Sequence, residues 1–407
     1  MAQVTVVGAG GEKITLRFTS SSNAALAQQI ANNITSGVDN GSIVPFKYTG
    51  FPVVPPAPAG KTGEFVQEKT GFAVLPSDYT AVVVNARDAT VFGGGAPDET
   101  VLSGDGGLTF FTGSGSGFIA AGGGNNRIME PIIGGGNWLI TTGNGKDTIL
   151  ALSGNNTVSA GTGHNEILLG SGNNVVISLG DDKIAITGAG ADTIFAFGHH
   201  SDVIFGGSGH LAFCGGDGAS TVLGQSGSET VFGGSGGGVF VGGSAGHNVI
   251  FGGTGAASII GGGDGDQLYA GGSKGDVLRA GAGNETLSGI LSSGKDQLYA
   301  GLGSDSLIAG TGSDTLHGGT GSATLTAGIG KDVFVFVKGQ AGGTDLVQSF
   351  NPAPNGDEVA LLGYGPHAAQ HALGTQQHAG GGTIITLPDG TKITFAGVAS
   401  LNNSNFS

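Results

Sequence analysis

The sequence predicts an all-β protein in which short parallel strands stack into a right-handed β-roll, a form of β-solenoid. Three observations lead to this fold class. An apolar residue recurs about every nine positions, glycine supplies 86 of the 407 residues, and many units read Gly-x-Gly-x-Asp-x-Leu. A short period sustained over many units is typical of solenoids, in which each unit buries its apolar side chain only by stacking on its neighbours.

The repeat is most regular over residues 260–336, which include "AGLGSDSLIAGTGSDTLHGG". Glycines suit a tight turn, and a triplet with a central apolar residue suits a very short strand whose middle side chain points inward. Two turn-strand units make one coil of about 18 residues, so every second unit stacks directly. We therefore predict that Leu307 and Leu316 point inward from opposite walls of one coil.

These units resemble the RTX, or hemolysin-type calcium-binding, nonapeptide repeat Gly-Gly-x-Gly-x-Asp-x-U-x, in which U is apolar. The resemblance is close over residues 260–336 and degenerate over residues 91–259. It continues into "DVFVFVKGQAGGTDLVQSFNPAPNGDEVALLGYG" and "GTIITLPDGTKITFAGVASLNNSNF", which are similar to the closing segment and the tail of proteins exported by type I secretion. The resemblance implies a parallel β-roll that binds calcium in the turns between stacked coils.

Calcium takes six to eight oxygen ligands, so the aspartates of turns two units apart are the candidate ligands. These aspartates form two rows, of which the second is interrupted by Glu285 and Ala323. The candidate metal ligands are Asp276, Asp296, Asp314 and Asp332 in the first row, and Asp266 and Asp305 in the second. The alternative is that these side chains cap turns by accepting backbone N–H bonds, as aspartate commonly does.

Upstream of residue 260 the aspartate position often holds asparagine, as at Asn156, Asn165 and Asn174. Asparagine lacks the charge that offsets dehydration of a cation, but it can form ladders of amide hydrogen bonds along a stack. We therefore predict that residues 91–259 fold without metal and that calcium is confined to the C-terminal repeats. By family analogy, calcium-dependent rolls fold only after export. A roll that needs little calcium would obstruct a secretion channel, which favours the cytoplasm over type I export through the C-terminal tail.

The two ends of the chain predict small additional elements. "VTVVGAGGEKITLRF" alternates as a β-hairpin, and the following segment places Leu26, Ile30 and Ile34 four apart on an amphipathic helix. The predicted organisation is a hairpin and helix that act as cap or connector (1–60), a Pro-rich linker and first strands (61–90), a metal-independent solenoid (91–259), regular repeats (260–336), and a C-terminal β cap and tail (337–407).

Composition and motifs exclude several functions. A net charge of −15 offers no basic surface for nucleic acid, and no apolar run reaches the roughly 18 residues of a membrane span. Residues 1–20 lack a basic start followed by an apolar stretch, so we expect no cleavable signal. The spacing of His367, His371 and His378 is close to that of a zinc protease, but Ala368 stands where the catalytic glutamate belongs, so we interpret this segment as a solvated loop.

Two functional hypotheses remain, and neither involves an enzyme or a small-molecule substrate. The first is a structural β-solenoid whose partner is itself, because low charge leaves flat faces that lack the usual barriers to association. It would form filaments or sheets in the cytoplasm. The second is a secreted calcium-binding RTX protein of a surface layer, matrix or adhesion system, which the C-terminal tail and the first aspartate row favour.

Overall fold

The protein, seen here as a computed structural model that describes residues 2–131 and 134–407, divides into two compact units. The N-terminal unit is Met1–Gly209 and the C-terminal unit is His210–Ser407. Both are built almost wholly of short β-strands. In the described residues there are two α-helices, α1 (Ser21–Asp39) in the first unit and α2 (Ala368–Gly374) in the second.

The N-terminal unit starts with an antiparallel hairpin, β1 (Ala2–Val7) and β2 (Lys13–Phe18). After α1 the strands form two parallel sheets, which the chain visits alternately from β4 onward. Sheet I contains β3 (Ile43–Lys47), β4 (Thr62–Gln67), β6 (Tyr79–Val84), β8 (Glu99–Ser103), β10 (Gly117–Ala121), β12 (Trp138–Thr141), β14 (Thr157–Ala160), β16 (Val175–Ser178) and β18 (Ala191–Ala196). Sheet II contains β5 (Phe72–Val74), β7 (Ala89–Phe92), β9 (Leu108–Phe111), β11 (Arg127–Met129), β13 (Thr148–Ala151), β15 (Glu166–Leu169), β17 (Lys183–Ile186) and β19 (Val203–Phe205).

The C-terminal unit repeats this alternation between two further sheets. Sheet III contains β20 (His210–Cys214), β22 (Ser228–Phe232), β24 (Val249–Phe251), β26 (Gln267–Gly272), β28 (Thr286–Ser292), β30 (Ser306–Ile308), β32 (Thr324–Thr326) and β34 (Thr344–Gln348), then β38 (Lys392–Ala396), β37 (Gly382–Thr386) and β36 (Gln377–Ala379). Sheet IV contains β21 (Ser220–Leu223), β23 (Gly238–Val241), β25 (Ala257–Ile260), β27 (Val277–Arg279), β29 (Gln297–Tyr299), β31 (Thr315–His317), β33 (Val333–Val337) and β35 (Glu358–Leu362).

The core of each unit is one side chain thick on either wall. Leu307 of β30 pairs with Leu325 of the next coil, and Leu316 of β31 pairs with Phe334, all in parallel register. Each of these side chains is fully buried. The predicted parallel β-solenoid is therefore confirmed, and so is the placement of Leu307 and Leu316 on opposite walls.

The turns of successive coils approach so closely that they require glycine. A Cβ atom at Gly312 would overlap the carbonyl oxygen of Gly294, and one at Gly330 would overlap that of Gly312. The same conflict arises in the other row of turns between Gly321 and Gly303. The regular glycines are thus dictated by the stacking of turn on turn, beyond the freedom that glycine gives to the backbone dihedral angles.

The predicted hairpin and helix are present, but they cover a side of the roll. Ile30 and Ile34 of α1 are buried in one cluster with the hairpin and with Val83 and Leu102, which project outward from sheet I. Strand β3 of the roll also lies inside the segment that the sequence assigned to the N-terminal element, because it lacks the glycine-rich repeat. Since α1 buries its apolar face within its own chain, that face is not exposed for docking another copy.

The edges of sheet III and sheet I are closed in different ways. In sheet III, β34 pairs in parallel with β38, which continues antiparallel to β37, so a β cap closes this end as predicted. The edge strand β3 of sheet I contains Pro45, which has no N–H to donate, and Pro-rich residues 52–58 follow it. Proline is a common means of blunting an edge strand.

The histidine-rich segment is more ordered than predicted. Residues 368–374 form α2, with His367 at its N-terminal cap, and His378 lies in β36, so the interpretation as a loop is wrong. The apolar face of α2 supplies the reason, because Ala368 and Ala372 pack into the C-terminal unit. His367, His371 and His378 are exposed.

The alternation of inward and outward side chains makes a strict prediction for β30. Leu307→Asp should destabilise the C-terminal unit by several kcal/mol, because it buries an unpaired charge in a core one side chain thick. Ile308→Asp, one residue along and facing outward, should cost less than about 1 kcal/mol. Urea unfolding of both variants tests this prediction. Equal losses of unfolding free energy would contradict the assignment of Leu307 as inward and Ile308 as outward.

Candidate functional site

A continuous ladder of carboxylates runs through the turns of the C-terminal unit. The backbone N–H of Asp276 donates to Oδ1 of Asp296 at 2.8 Å, that of Asp296 to Asp314 at 2.8 Å, and that of Asp314 to Asp332 at 2.9 Å. The ladder continues beyond the predicted row, because the N–H of Asp332 donates to Oδ1 of Asp357 at 2.9 Å. The structure therefore brings together all four aspartates of the predicted first row.

The second oxygen of most ladder aspartates accepts a bond within its own turn. Oδ2 of Asp314 accepts the N–H of Gly310 at 2.7 Å, and Oδ2 of Asp332 accepts that of Gly328 at 2.8 Å. Each side chain thus ties its own turn to the coil before it. The turn-capping role that the sequence left open as an alternative is present here.

The predicted second row is interrupted where the sequence suggested. The N–H of Glu285 donates to Oδ1 of Asp305 at 2.9 Å, and Oδ2 of Asp305 accepts the N–H of Gly301 at 2.8 Å. Ala323 has no carboxylate to offer Asp305, but its own N–H donates to Oδ1 of Asp345 at 2.8 Å. Asp266, further up this row, accepts the N–H of Asn248 at 2.8 Å.

Asp345 and Asp357 belong to the rows but were missed from the sequence. Each precedes an apolar strand in the pattern Asp-x-apolar, as the repeat aspartates do. Their ladder partners lie 22 and 25 residues away, compared with 18 for the Asp296–Asp314 and Asp314–Asp332 contacts. The longer coils hid them from a nine-residue period, and the Asp-x-apolar pattern is the signal that could have found them.

In the N-terminal unit the corresponding ladder contains carboxamides, as predicted. Nδ2 of Asn174 donates to Oδ1 of Asp192 at 2.8 Å, and Nδ2 of Asn165 donates to Oδ1 of Asp182 at 2.8 Å. Asp147 lies between two asparagines in its ladder. It accepts a hydrogen bond from Asn126 and donates its N–H to Asn165, so neither ladder neighbour is charged. Amides thus separate most of the carboxylates in this unit and supply them with donors.

Burial makes the charge of the C-terminal ladder costly. It raises the pKa of Asp296 to about 6, with the neighbouring charges of Asp314 and Asp276 adding to the shift. It raises the pKa of Asp345 to about 7, and that of Glu285, beside Asp305, to about 7. The pKa values of Asp276 and Asp332 are raised for the same reason. Burial therefore opposes the charged form of these carboxylates in both rows.

The residues fit calcium if backbone oxygens complete the ligand set. Oδ2 of Asp296 is buried without a well-formed hydrogen bond, and so is Oδ2 of Asp345. Within residues 2–131 and 134–407, no group of three or more His, Cys, Asp or Glu side chains converges to hold a metal. Calcium readily accepts backbone carbonyl oxygens, and the stacked glycine turns supply carbonyls beside the aspartates.

Comparison with known families agrees with this chemistry. Residues 141–335 match the family model of the RTX calcium-binding nonapeptide repeat in seven stretches, residues 141–176, 180–210, 215–240, 242–275, 262–289, 291–325 and 308–335. The comparison with curated proteins finds no match. No helix in the described part of the chain is long and apolar enough to cross a membrane. Residues 141–335, from the last third of the N-terminal unit into the C-terminal unit, therefore contain RTX nonapeptide repeats, a kind of repeat that binds calcium.

The raised pKa values predict how stability depends on pH without calcium. Asp345 holds its proton more tightly in the folded protein than in the unfolded chain. The protonated side chain therefore stabilises the fold fully below about pH 4, and this contribution is lost as the pH rises through about 7. Asp345→Asn mimics the protonated form. Its free energy of unfolding should exceed that of the wild type by roughly 2 to 4 kcal/mol at pH 8, and the two should be equal at pH 4.

Urea unfolding in a chelator between pH 4 and pH 8 measures this difference. Asp39→Asn, at the exposed end of α1, is the control and should leave the pH profile unchanged. Parallel profiles for Asp345→Asn and the wild type would contradict the assignment of a buried, charged Asp345.

Proposed function

We propose that this chain, an RTX β-roll protein, is a non-enzymatic structural protein whose C-terminal unit is stabilised by calcium outside the cell. One observation carries the proposal. Five buried carboxylates follow one another in adjacent turns without an amide between them, and they are Asp276, Asp296, Asp314, Asp332 and Asp357.

The reason is electrostatic. Neighbouring strands lie about 4.8 Å apart, and two unit charges at that distance repel by about 3.5 kcal/mol at an effective dielectric constant near 20. Backbone N–H groups bond to most oxygens of these carboxylates, though not to Oδ2 of Asp296, and they leave the net charge uncompensated. A divalent cation held by Asp296 and Asp314 together with turn carbonyls would neutralise two ladder members at once.

The N-terminal unit supports the contrast that the proposal requires. Its ladders intersperse carboxamides among the carboxylates, and where Asp182 and Asp202 are adjacent, the hydroxyl of Ser178 lies 2.7 and 2.9 Å from their oxygens. Amide or hydroxyl donors thus reach the carboxylates of these ladders, although Oδ2 of Asp147 is buried without a hydrogen bond. We propose that calcium acts on the C-terminal unit alone.

Location follows from the affinity expected of such sites. Calcium modules that work outside cells bind in the range of about 10⁻⁴ to 10⁻³ M, which the cytosol does not supply. A ladder whose free energy depends on calcium suits a compartment where calcium is abundant. We therefore favour secretion over the cytoplasm, reversing the preference derived from the sequence.

Self-assembly into filaments or sheets is the second candidate function. Half-exposed apolar side chains on the outer faces favour it, among them Phe232 and Phe251, whose rings stack 5.1 Å apart. Growth by strand addition has less support, because the β cap closes sheet III and Pro45 blunts β3. Lateral association of faces is the version of this hypothesis that we retain.

Calcium binding is tested by calorimetric titration of the whole chain. Asp296→Asn and Asp314→Ala should each weaken calcium binding at least tenfold, because each removes a ladder carboxylate beside the turn carbonyls. Asp147→Asn is the matched control, a buried repeat aspartate flanked by asparagines, and should leave binding unchanged. Unaltered binding in both ladder variants would overturn the proposal.

Hydrogen exchange with and without chelator tests the division between the units. We expect removal of calcium to reduce protection in residues 276–357, which contain the carboxylate ladder. Residues 141–209 should keep their protection, because amides complete their ladders. A uniform loss of protection across both segments would show that calcium supports the whole roll.

A further inference from the structure

The outer face of sheet II carries a continuous apolar column, which we call the outer stripe. Its members pair directly from strand to strand between β7 and β19. They are all at least partly exposed, and Phe92 is 37% exposed. The outer stripe is Phe92, Phe111, Met129, Leu150, Leu168, Ala185 and Phe205.

The same unit shows how such a face is treated elsewhere. On sheet I, the outward side chains of Val66, Val83 and Leu102 are fully buried beneath the hairpin and α1. The outer stripe has comparable apolar character but remains half-exposed. Contiguous exposed apolar surface of this extent marks an interaction site in soluble proteins.

A second column of outward residues runs beside the outer stripe and carries charge. Arg127, Thr148, Glu166 and Lys183 pair in that order on β11, β13, β15 and β17. Arg127 and Glu166 are exposed and lie on either side of Thr148, one strand away in each direction. Lys183 Nζ lies 3.6 Å from Glu166 Oε1.

We propose that the outer stripe is the contact between two copies of this chain, packed face to face about a two-fold axis along β13. Such an axis reverses the order of coils but keeps each column opposite itself. Arg127 then faces the partner's Glu166, Met129 faces the partner's Leu168, and Leu150 meets its own counterpart. Displacing the axis by half a strand spacing toward β15 would set Arg127 against the partner's Lys183, so charge selects this register.

Shape agrees with the same arrangement. A groove of about 550 Å³ opens on the stripe, lined by Phe92, Phe111, Met129 and Leu150 among others. The two-fold places the partner's Leu168 and Phe205 over this groove. It also sets the large Phe111 opposite the partner's Ala185, the smallest member of the stripe.

The contact has the size of a modest interface. Six strand spacings give a length of about 29 Å, and two columns across it bury on the order of 450 Å² per copy. That is near the lower limit for specific association, so we expect a dissociation constant of about 10 μM. The proposal supplies a surface for lateral association and does not depend on calcium binding.

Sedimentation equilibrium of the full chain tests the contact, in calcium and in chelator. Leu150→Asp places two like charges at the axis and should abolish the dimer. Leu139→Asp is the matched control, since Leu139 is 38% exposed on sheet I of the same unit, and should leave the dimer intact. Circular dichroism confirms that both variants remain folded.

Exchanging the charges of Arg127 and Glu166 tests how the two copies are aligned, without changing the apolar residues of the stripe. Arg127→Glu should weaken the dimer about tenfold by facing the partner's Glu166, and Arg127→Glu with Glu166→Arg should restore it. A full-length protein that stays monomeric at 100 μM, about ten times the expected dissociation constant, would overturn the proposal. A dimer that Leu150→Asp leaves intact would do so too. Neither result bears on calcium, which the titration of the ladder variants measures separately.

Discussion

The structure depends on one recurring contact, the bond from the backbone N–H of a turn to the side-chain oxygen of the equivalent residue in the next coil. It links Asn156 to Asn174 at 3.0 Å in the N-terminal unit and Asp296 to Asp314 at 2.8 Å in the C-terminal unit. Each such side chain is almost completely buried and fastens two coils together. Where the contact repeats from coil to coil, it calls for a side-chain oxygen at this position, and Ala323 interrupts it because alanine has none.

That constraint is met in two chemical ways with different consequences. A carboxamide accepts the N–H and also donates onward, as Asn174 does to Asp192, so it adds no charge to the ladder and supplies a donor to its neighbour. A carboxylate accepts hydrogen bonds but donates none, and burial, with a smaller contribution from the neighbouring charges, raises the pKa of Asp296 to about 6. In the function proposed above, the choice between Asn and Asp decides whether a stretch of the roll is stabilised by calcium.

The outer faces of the strands are free of this constraint, and the N-terminal unit uses them differently. On sheet I the outward Val83 and Leu102 are covered by α1 and the hairpin, which makes the N-terminal element part of the core. On sheet II the outward side chains are half-exposed and in register. A regular solenoid produces such columns automatically, since one residue choice repeated at each coil becomes a surface.

The sequence alone determined the solenoid class, the inward positions such as Leu307 and Leu316, and the two aspartate rows, because period and alternation act locally and repeat. It did not reveal that Asp345 and Asp357 extend those rows, since longer coils break the period. Nor did it show that α1 lies over sheet I. That placement was decided only in the tertiary structure, where the apolar side chains of α1, including Ile30 and Ile34, are buried against outward residues of strands distant in the chain.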